Sequence, residues 1–72
     1  MDAQKLVRMA NQIAAFFKAQ GAASAPAEIA DHLVKFWDPR MRSQILVHLD
    51  KGGAGLDPLA REAVELLPRN KS

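Results

Sequence analysis

The sequence of 72 residues predicts an all-α protein, a small bundle of three main helices plus a short C-terminal helix, forming a single domain over residues 1–72. Three observations predict it. Apolar residues recur at steps of three and four almost throughout, and no segment alternates with period two for long enough to make a strand. In addition, prolines at 26, 39 and 58 each follow a residue suited to capping or preceding a helix start.

The first helix is expected over about 3–20, capped by Asp2 and stopped by Gly21 with Ala22, Ala23 and Ser24 behind it. Leu6, Met9, Ile13, Phe16 and Phe17, joined by Val7, Ala10 and Ala14, fill roughly half its circumference at about 100° per residue. So wide an arc wants more than one neighbour. The second helix is expected over 26–37, because the fixed φ and missing amide proton of Pro26 suit a first helical position and Glu28 suits the dipole. Its face is Ile29, Leu33, Phe36 and Trp37. Trp37-Asp38-Pro39 reads as a boundary, with Asp38 capping a third helix over 39–51 whose stripe is Met41, Ile45, Leu46 and Leu49. Gly52-Gly53-Ala54-Gly55 ends that helix and predicts a flexible linker over 52–56. Asp57-Pro58 then starts a short helix over 58–67, which Pro68 ends. At about ten residues it is marginal alone and must dock on its own core or on another protein. The tail 69–72 is polar and expected to fray.

Composition narrows the function. The chain is 49% hydrophobic and 25% charged, so it is built to fold, yet it is too short to enclose a deep pocket beside a complete core, which argues against a self-sufficient enzyme. Absence of cysteine excludes disulfides, thiolate zinc, Fe–S ligation and a cysteine nucleophile. A net charge of +2 from ten basic and eight acidic side chains is near balance and does not demand nucleic acid. No signal-peptide pattern opens the sequence and no run approaches the length of a membrane span, so a cytoplasmic protein is expected.

Few residues offer chemistry. His32 and His48 lie on different helices without a further ligand at i+3 or i+4, positions where an imidazole finds a backbone or solvent partner. Glu62 and Glu65, with Arg61 four residues before the latter, read as a solvated charged face. The glycine run follows a helix and lacks the lysine and hydroxyl ending of a phosphate loop, so it reads as a hinge. Arg40 and Arg42 at the start of the third helix allow a nucleic-acid reading, opposed by Asp38 and Asp50 on the same helix.

The stretch Phe36-Trp37-Asp38-Pro39-Arg40-Met41-Arg42 is the least ordinary. Arg42 falls inside the apolar stripe, where a charge is costly unless paired. Either Asp38, four residues earlier, pairs with it locally, or it anchors another subunit together with Trp37, since tryptophan and arginine dominate binding hot spots. The candidate partner-binding set is therefore Trp37, Arg40, Arg42, Phe36 and Asp38. Phe16 and Phe17 are adjacent, as are Phe36 and Trp37, and adjacent helical residues point about 100° apart. Some of these rings are expected to line a surface groove or a partner contact.

Three blocks also carry a family resemblance: Lys5-Leu6-Val7-Arg8-Met9-Ala10-Asn11-Gln12-Ile13-Ala14-Ala15-Phe16-Phe17; Ile29-Ala30-Asp31-His32 leading to Phe36-Trp37-Asp38-Pro39-Arg40-Met41-Arg42; and Gly52-Gly53-Ala54-Gly55-Leu56-Asp57-Pro58-Leu59. In these the chain resembles the delta subunit of the soluble, NAD-dependent, metal-containing formate dehydrogenases. The segment from Gly21 to Pro26 and the tail after Pro68 carry no part of the pattern. The resemblance implies a non-catalytic accessory subunit, without catalytic, cofactor-binding or metal-ligating residues of its own, in a complex that oxidises formate and reduces NAD. It further implies that the molybdenum or tungsten cofactor and Fe–S clusters belong to the large alpha subunit, and FMN with further clusters to other subunits. This chain would bind the large subunit and aid assembly, stability or cofactor maturation. The alternative is a small helical nucleic-acid-binding regulator.

Overall fold

The helix starts fall where the sequence places them, with side-chain caps made by Asp2 and Asp38 and none by Ser24 or Asp57. A computed structural model of the chain describes residues 2–21 and 23–68. Among the described residues there are four helices, α1 (Ala3–Ala19), α2 (Ala25–Phe36), α3 (Pro39–Asp50) and α4 (Pro58–Glu65), and no strand. Ala22, within the first expected stop, and the tail 69–72, expected to fray, lie outside the described residues.

The Asp2 carboxylate accepts from Lys5 N at 2.8 Å and opens α1; Gly21, at φ 69, ends it. Ser24 precedes α2, but its hydroxyl donates to Glu28 Oε2 at 3.0 Å instead of accepting from the backbone. Asp38 is extended, as a residue before proline is driven to be, and its carboxylate accepts from Met41 N at 2.9 Å to cap α3. α4 ends at Glu65, two residues earlier than 67. Its last amides, Leu66 N and Leu67 N, bond back three residues to Ala63 O and Val64 O, so the final turn tightens before Pro68 and swings Leu67 into the core.

All four helices touch one another. Leu6 and Ala10 of α1, Ile29 and Leu33 of α2, Ile45 of α3, and Ala60, Ala63 and Val64 of α4 lose all solvent contact. Ala60 and Ala63 matter because side chains at a helix contact set the distance between axes, and two alanines on one face let α4 lie close against its neighbours. Of the two possibilities for the short last helix, the structure realises docking on the chain's own core.

The segment 52–56, expected as a flexible linker, is a turn held by hydrogen bonds from three helices. Gly52 N bonds to Leu49 O and Gly53 N to His48 O, closing α3 with a paired C-terminal motif in which Gly52 and Gly53 both have positive φ. Side chains then fasten the turn from both sides. His48 Nε2 donates to Ala54 O at 2.8 Å, Asn11 Nδ2 donates to Gly55 O at 2.9 Å, and Arg61 Nη2 donates to Gly52 O at 2.5 Å and to Gly53 O at 3.4 Å. Asn11 Oδ1 also accepts from Asp57 N at 2.9 Å, so one side chain of α1 holds both the turn and the start of α4. Arg61, expected on a solvated face beside Glu65, is instead turned into this loop.

Candidate functional site

Two adjacent aromatic pairs set up the most distinctive surface. On α1, Phe17 packs half-buried against the core while Phe16 is directed outward and stays 59% exposed. On α2 the helix ends at Phe36, and the extended backbone of Trp37 turns its ring inward to 5% exposure while Phe36 remains 72% exposed. His32, one helical turn before Phe36, joins the two helices. Ring centroids run Phe16–Phe17 at 5.5 Å edge-on, Phe17–His32 at 6.1 Å edge-on, and His32–Phe36 at 4.6 Å tilted. Such offset and edge-to-face arrangements are the favoured ones for π systems.

This ladder crosses the α1–α2 hairpin and divides two shallow hollows. One, of about 260 Å³, is walled by Gln12, Ile13, Phe16, Phe17 and His32. The other, of about 390 Å³, lies toward α2 between the same Phe17–His32 pair and Phe36, with Ala27 and Asp31 on its wall. Its rim carries the charged side chains Glu28, Asp31 and Lys35. Lys35 Nζ lies 3.0 Å from Asp31 Oδ2, and Glu28 accepts from the Ser24 hydroxyl. A larger depression of about 810 Å³, where α1 meets the starts of α2 and α4, is walled mainly by alanines and prolines with Lys18, Asp57 and Glu62 of mixed sign. It exposes no aromatic ring.

The five sequence-predicted contact residues separate. Phe36 is at the end of the ladder and Arg40 is exposed on the first turn of α3. Trp37 belongs to the core, so its ring is not available to a partner. Asp38 is exposed, with its carboxylate capping α3. Arg42 is half-buried, and its Nη1 donates to Val34 O at 3.1 Å and to Trp37 O. The guanidinium thus sits on the C-terminal carbonyls of α2, where a cation is favoured by the helix dipole. Its partners are these carbonyls, and Asp38 serves α3 instead. Sequence reasoning missed His32 as an aromatic element. The sequence signal is its i, i+4 spacing to Phe36, which a reading of histidine as a ligand or backbone-bonded group does not use.

Among the described residues no three His, Asp or Glu side chains gather to hold a metal ion. The amides of Gly52, Gly53 and Leu56 are used within the turn, so the glycine run offers no cradle from those positions. No helix among the described residues is long and apolar enough to cross a membrane.

A family model described as the NADH-dependent formate dehydrogenase delta subunit, FdsD, matches residues 5–64. No curated protein and no solved structure matches the chain.

Proposed function

The chain belongs to the NADH-dependent formate dehydrogenase delta-subunit family, and we propose that it serves as a non-catalytic accessory subunit that binds the large subunit through its aromatic face. The role is assembly, stability or cofactor maturation of the complex in the cytoplasm. In this reading the chain holds no cofactor; the molybdenum or tungsten centre, Fe–S clusters, FMN and NAD are carried by its partners. The observation that supports a docking role is the exposure of Phe16 and Phe36 at the two ends of an ordered aromatic ladder. Contiguous exposed apolar surface on a small protein marks an interaction site more often than a catalytic one. Arg40, exposed a few residues beyond Phe36, remains a candidate for the rim of the same contact.

The test is co-purification of the large subunit with Phe16→Ser, Phe36→Ser and the double variant. At 72% exposure Phe36 offers roughly 140 Å² of surface, so burying it against a partner contributes at most about 3 kcal/mol, or roughly 100-fold in affinity. Loss of the large subunit from the double variant, with helicity and melting unchanged, is the expected result. Undiminished co-purification removes this face as the contact. Binding to duplex DNA that falls steeply with salt would favour a nucleic-acid regulator instead.

A further inference from the structure

We infer that Arg42 is a positioning residue of the aromatic face: its guanidinium holds the last turn of α2 closed, and with it the Phe36 ring, without itself anchoring the larger chain. The inference rests on the docking reading above and adds a residue that acts through Phe36. Three observations carry it.

The first is the choice of carbonyls. Trp37 N bonds to Leu33 O at 2.9 Å, so the first carbonyl that α2 leaves over is that of Val34. Were the helix to run on, the amide of Asp38 would reach it; instead Trp37 is extended, at φ −87 and ψ 141, and the chain departs for α3. Arg42 Nη1 fills that place, donating to Val34 O at 3.1 Å and also to Trp37 O. One nitrogen thus ties together carbonyls that lie before and after Phe36 in the chain.

The second is what depends on this turn. The end of a helix is the part that frays, and Phe36 is the last residue of α2. Its ring centroid lies 4.6 Å from that of His32, a contact between residues four apart that requires helical backbone between them. Phe36 is exposed, so core packing does little to hold it. The cap on the carbonyls around it therefore carries that task.

The third is how Arg42 is itself held. It is half-buried on α3, whose first turn is fixed by the Asp38 carboxylate accepting from Met41 N. Asp38 and Arg42 each serve a different helix end, the anion at the start of α3 and the cation at the end of α2, the signs that the two dipoles favour. An ionic contact that drew the guanidinium outward would break its bonds to both carbonyls. Arg40, exposed on the first turn of the same helix, is available to a partner where Arg42 is not.

The experiment has two arms. Terminal turns open with a free energy near zero, so the ten-fold shift expected from losing a charged hydrogen-bond donor takes this turn from mostly closed to mostly open, changing either fraction about three-fold. In the free full-length chain, amide exchange at Phe36 and Trp37, taken relative to Leu6 and Ala10 of α1, should rise about three-fold in Arg42→Ala, with Arg42→Lys falling between. The control is Ile45→Val, a core change on α3 of comparable destabilisation, which should move that ratio by less than about 1.5-fold. In the complex, variants compete with the unmodified chain for the large subunit during co-purification. Arg42→Ala should weaken binding about three-fold alone and by less than about 1.5-fold further in a Phe36→Ser background, because the residue it positions is already gone. Equal exchange effects of Arg42→Ala and Ile45→Val overturn the inference, as does full additivity with Phe36→Ser, which would make Arg42 an independent anchor. Weakening by Phe36→Ser without any by Arg42→Ala overturns it and preserves the docking reading. Undiminished binding by the Phe16→Ser, Phe36→Ser double variant defeats the docking reading itself.

Discussion

Gly53 and Gly21 form a matched pair that isolates the contribution of the fastened turn. Their φ values are nearly equal, 65 and 69, so alanine at either position carries the same left-handed backbone cost, about 1–2 kcal/mol, partly offset by about 0.4–1 kcal/mol from the stiffer unfolded chain. Their surroundings differ. A Cβ at Gly21 meets nothing within 4 Å, whereas at Gly53 it would lie 2.9 Å from Arg61 Nη2 and 3.2 Å from Leu49 Cδ1. Gly53→Ala must therefore push Arg61 off the Gly52 and Gly53 carbonyls and press on the side chain of Leu49. Losing charge-assisted hydrogen bonds of this kind costs about 1.5–3 kcal/mol, at the low end here because Gly52 O is solvent-exposed. The expectation is about 1 kcal/mol for Gly21→Ala and about 3 kcal/mol for Gly53→Ala. For a domain of this size the second corresponds to a drop of at least about 12 °C in Tm. Urea and thermal denaturation followed by far-UV circular dichroism measure both. An Arg61→Ala background should shrink the penalty of Gly53→Ala by about 1 kcal/mol, because the group being displaced is already gone. Equal destabilisation at the two glycines would refute the reasoning, since it would mean that the turn gains nothing from Arg61.

The adjacent rings at the end of α2 should respond in opposite ways. Trp37→Ala, removing a side chain 5% exposed, is expected to cost about 3–5 kcal/mol in denaturant unfolding, while Phe36→Ala changes stability by less than about 0.5 kcal/mol. Arg42→Ala should destabilise by about 1–2 kcal/mol through loss of its bonds to Val34 O and Trp37 O, and Arg42→Lys should recover only part of that, because both bonds come from Nη1 and the lysine Nζ stops about one bond short of that position; the same unfolding titrations decide.

The helices were readable from local chemistry. Asp2, Asp38 and the three prolines act on residues within one turn of themselves, so their effect does not depend on what the rest of the chain does. The apolar stripes were readable for the same reason. What could not be read was which member of each aromatic pair goes inside. Period alone places Phe36 and Trp37 on one face; the end of α2 at Phe36 sends Trp37 inward, and that depends on where the helix stops, a detail sensitive to one or two residues. Arg42 had two open readings from sequence, and its actual acceptors lie on another helix, eight and five residues away. The glycine run looked loose because backbone propensity is local, whereas Asn11 and Arg61 reach it from distant points of the chain. The candidate face was legible as a surplus of rings and illegible as a location until His32 joined α1 to α2.

The order in which the bundle is completed has a consequence for biosynthesis. The ladder is carried by α1 and α2, but Ala60, Ala63 and Val64, which complete the interior, belong to α4 and are synthesised after it. A nascent or prematurely terminated product therefore has its aromatic residues without the scaffold that orients them. Recognition through this surface would consequently discriminate finished subunits from fragments, with no separate proofreading element.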